Sequence, residues 1–293
     1  MRVTDSMIFD RANVSIGRAR SLEEAASAEA SSGLRVRHPG DDPGAAGLVV
    51  GQSLNENRLA TLSSTIGRAA DELQSADNAL DAVSSALSRA RELTVQLSND
   101  TYSASERSAA ANEVNGLMKT VVAAMNTQMG KRYIFGGTQD TTAPFDAAGN
   151  YLGDTNVRKV EIAPGVLQDA SVRGDVALKG VGGGVDVLAS LQALSTALTA
   201  NNVTAVRASL TPLDAGISQV SLVRTQAGSN VTVLDAAGAA ANSAKLQATT
   251  AKSHLQEADT IESATKLSLA ERALDAALSA SAKTFRLTLL DKM

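Results

Sequence analysis

The chain has 293 residues, a net charge of −4 and a pI near 5.3, so it carries no basic footprint for a nucleic-acid partner. Aromatics are 2% of it with no Trp, fewer rings than compact enzyme cores usually bury. Cysteine is absent, which excludes disulfides, thiolate nucleophiles and thiolate-bound metal. That absence suits a cytosolic chain that never needed thiols and equally a secreted part that avoids them. No apolar run approaches the roughly 18 residues that span a bilayer. The opening stretch Met1 to Asp10 has no apolar h-region before charges return, so no cleaved signal peptide is expected.

The first element is a helix over 5–32. Phe9, Ala12, Ile16, Ala19, Ala26 and Ala30 lie on a stripe of alternating three- and four-residue steps, interrupted by Glu23. The stripe is Ala-heavy, and a helix that buries so little is marginal alone. Gly33, Pro39, Gly40 and Pro43 then break the helix. Asp41 or Asp42 can cap the next one, with Pro43 in its first turn. That helix runs from Pro43 to Leu97.

Its apolar stripe is the longest in the chain: Leu59, Leu62, Ile66, Ala69, Leu73, Ala76, Leu80, Val83, Leu87, Ala90, Thr94 and Leu97, with Thr94 the one polar member. An average step of 3.5 favours long, nearly parallel packing against another helix, over roughly 60 Å. After Asn99-Asp-Thr, the spacing of Ser103 and Glu106 predicts a capping box for a helix over 103–131, with Ala110, Val114, Leu117, Val121 and Ala124 on its stripe.

From Arg132 to Gly184 the chain becomes rich in Gly, Asp, Thr and Pro. Short β-like pieces stand at 133–135, 157–162 and 176–178, with a turn at 148–150. Gly180, Gly182, Gly183 and Gly184 read as a flexible joint. No Lys-Ser or Lys-Thr pair follows to make a phosphate loop. Helix returns near Val185. A second long stripe then runs through Val203, Val206, Leu210, Leu213, Ile217, Val220, Arg224, Ala227, Val231, Leu234, Gly238 and Ala241, with Arg224 and Gly238 as exceptions. It is the natural partner of the first, and Pro212 either kinks it or sits near its start. A last Ala- and Leu-rich helix over 261–290 carries Leu267, Leu274, Leu278, Phe285 and Leu289. The expected fold is therefore mainly α. It is a long antiparallel helical bundle or coiled coil with a small β-rich inserted domain, and its two ends lie together.

No constellation for catalysis is visible. The two histidines, His38 and His254, lie in different segments without ligand spacing, so neither metal nor cofactor is expected. Asp41 and Asp42 read as caps before a proline rather than as a paired-carboxylate site. The tract Arg89-Ala-Arg-Glu-Leu93 reads either as a solvated helix flank or as a contact with a neighbouring subunit.

Together, Met1 to Met7, Ser31 to Ala46 and Arg89 to Gln96 followed by Asn99-Asp-Thr resemble the flagellin superfamily. Arg132-Tyr-Ile-Phe-Gly-Gly137, Thr142 to Asp146, Gly149 to Asp154 and Val223 to Asn230 are similar to its hook–filament junction branch, the hook-associated protein 3 family. His38-Pro39-Gly40 and the Lys292 near the end depart from the usual pattern. The resemblance implies a bacterial axial structural protein exported by the flagellar type III system to an extracellular position in the flagellum. It implies self-association in a ring, with other hook-associated proteins and flagellin as partners and a flagellar export chaperone. It implies no nucleic acid and no membrane. It also implies three regions: a terminal D0-like part (1–42 with 250–293), a D1-like bundle (43–131 with 185–249) and a D2-like insert (132–184). Subunit-interface candidates are then Phe9, Ile16, Arg89, Arg91, Glu92, Gln96, Leu267, Leu274, Leu278 and Phe285. A flagellin filament subunit is the nearest alternative. A signalling coiled coil such as a chemoreceptor hairpin is the alternative from another class.

Overall fold

The structure, a computed structural model, describes residues 5–290, with side chains described for Met7 and over 9–283. The elements are α1 (Asp5–Ser32), α2 (Pro43–Leu97), α3 (Ala104–Met125), β1 (Gln128–Met129), β2 (Arg132–Tyr133), β3 (Lys159–Ala163), β4 (Val166–Asp169), α4 (Gly174–Leu178), α5 (Val187–Thr199), α6 (Val203–Ala208), α7 (Leu210–Gln256) and α8 (Thr260–Leu290). The chain divides into two compact units. Unit 1 comprises 1–58 with 244–293, and unit 2 comprises 59–243.

In unit 2, the long stripe on α2 is inaccessible from Ile66 to Leu97 at every member, and half-buried at Leu59 and Leu62. The stripe of α6 and α7 is buried or half-buried at every member from Val203 to Ala241. Side-chain pairs show the two to be antiparallel. Ser63 meets Asn242, Asp77 and Asp81 meet Arg224, and Arg91 meets Asp214. Thr94, the polar member, is fully buried and donates its hydroxyl to the Ala90 carbonyl at 2.7 Å. Gly238 lies against Ile66, where an added Cβ would sit at 3.5 Å from Cγ2, an ordinary contact.

α3 and α5 pack on each other, and one apolar cluster joins α2, α3, α5, α6 and α7. The capping box at the start of α3 forms as the spacing predicts: Ser103 Oγ accepts from the Glu106 N–H, and the Glu106 carboxylate accepts from the Ser103 N–H. The helix ends at Met125, earlier than the expected 131. The Asn126 side chain there donates to the Phe145 carbonyl at 2.8 Å and accepts the Phe145 N–H at 3.0 Å, turning the chain into the β1–β2 hairpin. The second long helix is interrupted at Ser209. Pro212, third in α7, cannot donate to the Ala208 carbonyl, so the ladder breaks just before it.

Two antiparallel hairpins, β1–β2 and β3–β4, supply the sheet structure, the first beginning at Gln128, ahead of the expected start of the β-rich region at Arg132. The 176–178 stretch, expected as a strand, belongs to helix α4. Its Ala177 and Leu178 are fully buried, and Arg173 grips Asp175 at 2.6 and 3.0 Å across the first turn. Three residues of β propensity do not resist such packing. The glycine-rich turn is tightly bonded rather than a loose joint. Gly183 and Gly184 donate to the Gly180 carbonyl, and Gln219 of α7 bonds the backbone of Val176, Ala177 and Val185. The turn expected at 148–150 begins slightly earlier, with the Gly149 N–H donating to the Asp146 carbonyl, and is closed by a bridge between Phe145 and Tyr151.

In unit 1, α1 packs against α8. The α1–α2 loop is stitched to the end of α7: Arg35 and Val36 donate to the Gln256 carbonyl, and Ala258 donates to that of Gly33. Asp42 is the cap of α2, accepting the Ala45 N–H at 3.0 Å, while Asp41 accepts the N–H groups of Arg37 and His38. Lys252 pairs with Glu56 at 2.5 Å.

An interior helical glycine costs about 1 kcal/mol relative to alanine, and the space beside Ile66 accepts a methyl. Gly238→Ala is therefore expected to raise unfolding stability by about 1 kcal/mol in chemical denaturation. A loss would show that the α2–α7 seam is tighter there than the contact implies.

Candidate functional site

No group of three or more His, Asp or Glu side chains gathers to hold a metal among the described residues, and no described helix is long and apolar enough to cross a membrane. One concave surface is an open groove of about 650 Å³ on unit 2, walled by Met118, Val122, Ala148 and Leu188. What the molecule offers instead is surface.

On α8 of unit 1, the shielded positions are Ser263, Leu267, Ala270, Leu274, Ala277 and Ser281, an unbroken alternation of four- and three-residue steps. On α1 they include Ala12, Ile16, Ala19, Glu23, Ala26 and Ala30. The α1–α8 seam is thus made mostly of small side chains. Its polar stitches are Ser263 Oγ to Glu29 at 3.1 Å and Lys266 to Glu29 at 3.3 Å. Glu262 and then Glu29 push the Lys266 ammonium above its ordinary pKa. Larger apolar groups are left outside: Met7, Phe9, Val14 and Leu22 on α1, and Ile261, Leu269 and Leu278 on α8. The candidates therefore separate. Ile16, Leu267 and Leu274 are half-buried on the seam, whereas Phe9 and Leu278 are exposed at 51% and 47%. The Phe285 side chain lies outside the described residues.

The flank candidates on α2 are engaged within unit 2. Arg89 bonds Glu113 of α3 at 2.7 Å and Glu92 at 3.2 Å, which raise its pKa further. Arg91 pairs with Asp214 of α7 at 2.5 Å, and Gln96 donates to the Tyr102 hydroxyl at 3.2 Å. These groups are about half exposed, so each pair adds little by itself. They align neighbouring helices while keeping a charged surface in water.

Sequence reading missed Arg107. It is 3% exposed and donates to the carbonyls of Leu97 and Asn99 and to the Asn201 side chain at 2.5 Å. It thereby satisfies the end of α2, whose last carbonyls have no intrahelical partner. Arg207 adds a bond to the Ser98 carbonyl at 2.8 Å. The signal was present: Arg107 stands three residues before Ala110, on the stripe of α3.

The motifs of the insert build its interior. Ile134, Phe135 and Phe145 are buried, and the Phe145 and Tyr151 rings meet at 5.2 Å. The Tyr151 hydroxyl lies 3.0 Å from the Phe135 carbonyl and 2.8 Å from that of Asp154, and burial pushes its pKa up. Asp154 gathers the hydroxyl and N–H of Thr138 with the N–H and side-chain amide of Asn156. Those donors, Thr138 first, hold its carboxyl down at about 2. Gly137, at φ +71°, passes so near that carboxylate that an added Cβ would collide with it.

The family described as the bacterial flagellin N-terminal helical region matches residues 7–140. Residues 7–140 of the chain are thus similar to that family. The chain is 35% identical over 136 residues to flagellar hook-associated protein 3 of Escherichia coli (strain K12), covering 45% of this chain and 42% of that one. It is 30% identical over 157 residues to the protein of the same name from Salmonella typhimurium, covering 52% and 49%. It therefore spans about half the length of the curated relatives it matches. A flagellin of Clostridium tyrobutyricum is 40% identical over 99 residues, covering 33% of this chain and 26% of that one. Among solved structures, a flagellar hook-associated chain from Vibrio parahaemolyticus is 25% identical with a TM-score of 0.68, covering 74% of this chain and 100% of that one. Bacillus cereus FlgL, 24% identical with a TM-score of 0.58, shares the fold over 68% of this chain and 96% of its own.

Asp154 carries a pH-dependent share of the insert's stability. Its folded pKa lies below the ordinary 3.8, so the stabilisation is complete above about pH 4 and disappears as pH falls through about 2. Asp154→Asn should lower the denaturation midpoint at neutral pH and flatten the stability decline between about pH 4 and 2. An unchanged acid slope would remove Asp154 from that role.

Proposed function

We propose that the chain is a structural subunit of the bacterial flagellum, placed at the junction between hook and filament and without catalysis. The supporting observation is the structural match to a hook-associated chain over three-quarters of this sequence, joined to sequence similarity with hook-associated protein 3. In this reading unit 2 is the self-sufficient part, its two long stripes covering each other. Unit 1 is the part completed by assembly. Its small-residue seam buries little area, and Met7, Val14, Leu22, Ile261, Leu269 and Leu278 are apolar surface for neighbouring subunits. A head-to-tail contact repeated around an axis closes a ring.

The partners are copies of the chain, other hook-associated proteins and flagellin, and a flagellar chaperone escorts the chain to the type III export apparatus. The chain divides functionally into a terminal D0-like part (1–42 with 250–293), a D1-like bundle (43–131 with 185–249) and a D2-like insert (132–184). A second reading, a filament subunit, is favoured by the flagellin relative. Stoichiometry separates the two: a few copies at one level of the axis, or thousands along it.

Electron microscopy of cells lacking the protein is expected to show hooks without filaments, with flagellin shed into the medium. Normal filaments would overturn the junction reading. Leu278→Asp places a charge on the exposed side of α8, away from the seam with α1. It should abolish incorporation at the junction while the circular dichroism of the isolated chain is unchanged. Normal incorporation by that variant would remove this surface from the assembly contact.

A further inference from the structure

We infer that Arg224 sets the register of the α2–α7 pair. Its Nε bonds Asp77 Oδ1 at 2.9 Å and its Nη1 bonds Asp81 Oδ1 at 2.6 Å, so one guanidinium is forked between two carboxylates a helical turn apart. The two aspartates raise its pKa, Asp77 first. Arg224 is also the one charged member of a stripe that is otherwise apolar or glycine from Val203 to Ala241.

The apolar stripes do not choose a register by themselves. Both repeat every seven residues, so a slip by one heptad again sets apolar side chains opposite apolar ones. Leu80, which stands between Asp77 and Asp81 on the seam, would meet Ile217 or Val231 in place of Arg224. The aspartates have no such equivalents. Seven residues before them stand Ala70 and Gln74, and seven residues after them stand Ser84 and Ser88. A slip either way leaves the guanidinium on the seam without a carboxylate, which is costly for a group 30% exposed. A polar residue at one core position fixes register in coiled coils for the same reason.

The second observation agrees independently. Arg91 bonds Asp214, and the heptad equivalents of Arg91 are Ser84 and Ser98. Two further tethers, Glu72 to Arg158 and Gln168 to Asn230, hold the insert to α2 and α7 respectively. Neither of them joins the helices directly.

The chain has no cysteine, so introduced pairs report position cleanly. Ser63→Cys with Asn242→Cys marks the native register, because those side chains meet at 2.8 Å. Ala70→Cys with Asn242→Cys marks a slip by one heptad in one direction, and Ser63→Cys with Asp235→Cys marks the other. In full-length protein carrying Arg224, oxidation should trap the first pair and leave the shifted pairs near background. In Arg224→Leu, one or both shifted pairs should rise at least about tenfold relative to the native pair. That corresponds to about 1.4 kcal/mol of lost discrimination. A variant that loses helical circular dichroism is replaced by Asp77→Asn with Asp81→Asn and scored by the same pairs. Shifted crosslinks that stay at the parent level in a folded variant overturn the proposal and assign the register to packing, the Arg91–Asp214 and Lys252–Glu56 pairs and the insert tethers.

Discussion

The burial of one apolar seam between α2 and α6–α7 is the constraint on which unit 2 depends. Every member of the α2 stripe from Ile66 to Leu97 is withdrawn from water, and the stripe of the returning helices is buried or half-buried along its length. Alanines at 69, 76 and 90 let the backbones approach, and leucines at 73, 80 and 87 supply the apolar area. Two helices alone cannot enclose such a seam. α3 and α5 cover it, and the interior continues through Ile134, Phe135 and Phe145 into the insert without a break in the apolar cluster.

Several polar groups of unit 2 stand where a regular element stops. Arg107 receives the last carbonyls of α2, Asn126 ends α3 against Phe145, Gln219 bonds the glycine turn, and Asp154 gathers the donors of its loop. Buried backbone groups must find partners, and a helix terminus or tight turn presents them in excess. Long side chains reaching from a neighbouring element meet that need. They also attach each loop to a particular helix, which is how a region with only two short hairpins obtains a defined interior.

Unit 1 applies the same heptad logic to a smaller area. Its seam is built from Ala19, Ala26, Ser263 and Ser281 at the most shielded positions, and the larger apolar side chains lie outside. Such a pair gains little from its own burial and leaves its larger apolar groups uncovered. This contrast between the units is the physical basis for reading the chain as a component of an assembly.

Sequence by itself determined the helical frame. The bounds of α1 and α2, the capping box of α3, both long stripes and their pairing follow from local periodicity and capping chemistry, which neighbouring residues carry in full. It also showed that Arg224 and Gly238 break the second stripe, and the insert motifs it singled out are the residues that build the insert's interior. Only the tertiary structure decided what the exceptions do. Whether Arg107 is a surface charge or a buried cap, whether 176–178 extends or coils, and whether Leu267 and Leu278 face inward or outward depend on groups far away in the chain. Arg107 bonds Asn201 across 94 residues, Asn126 ends its helix bonded to Phe145, and the first residue of α4, Gly174, packs against Phe135, Phe145 and Tyr151. Periodicity reports which face of a helix is apolar. The identity of what covers that face is a property of the folded chain and of its neighbours.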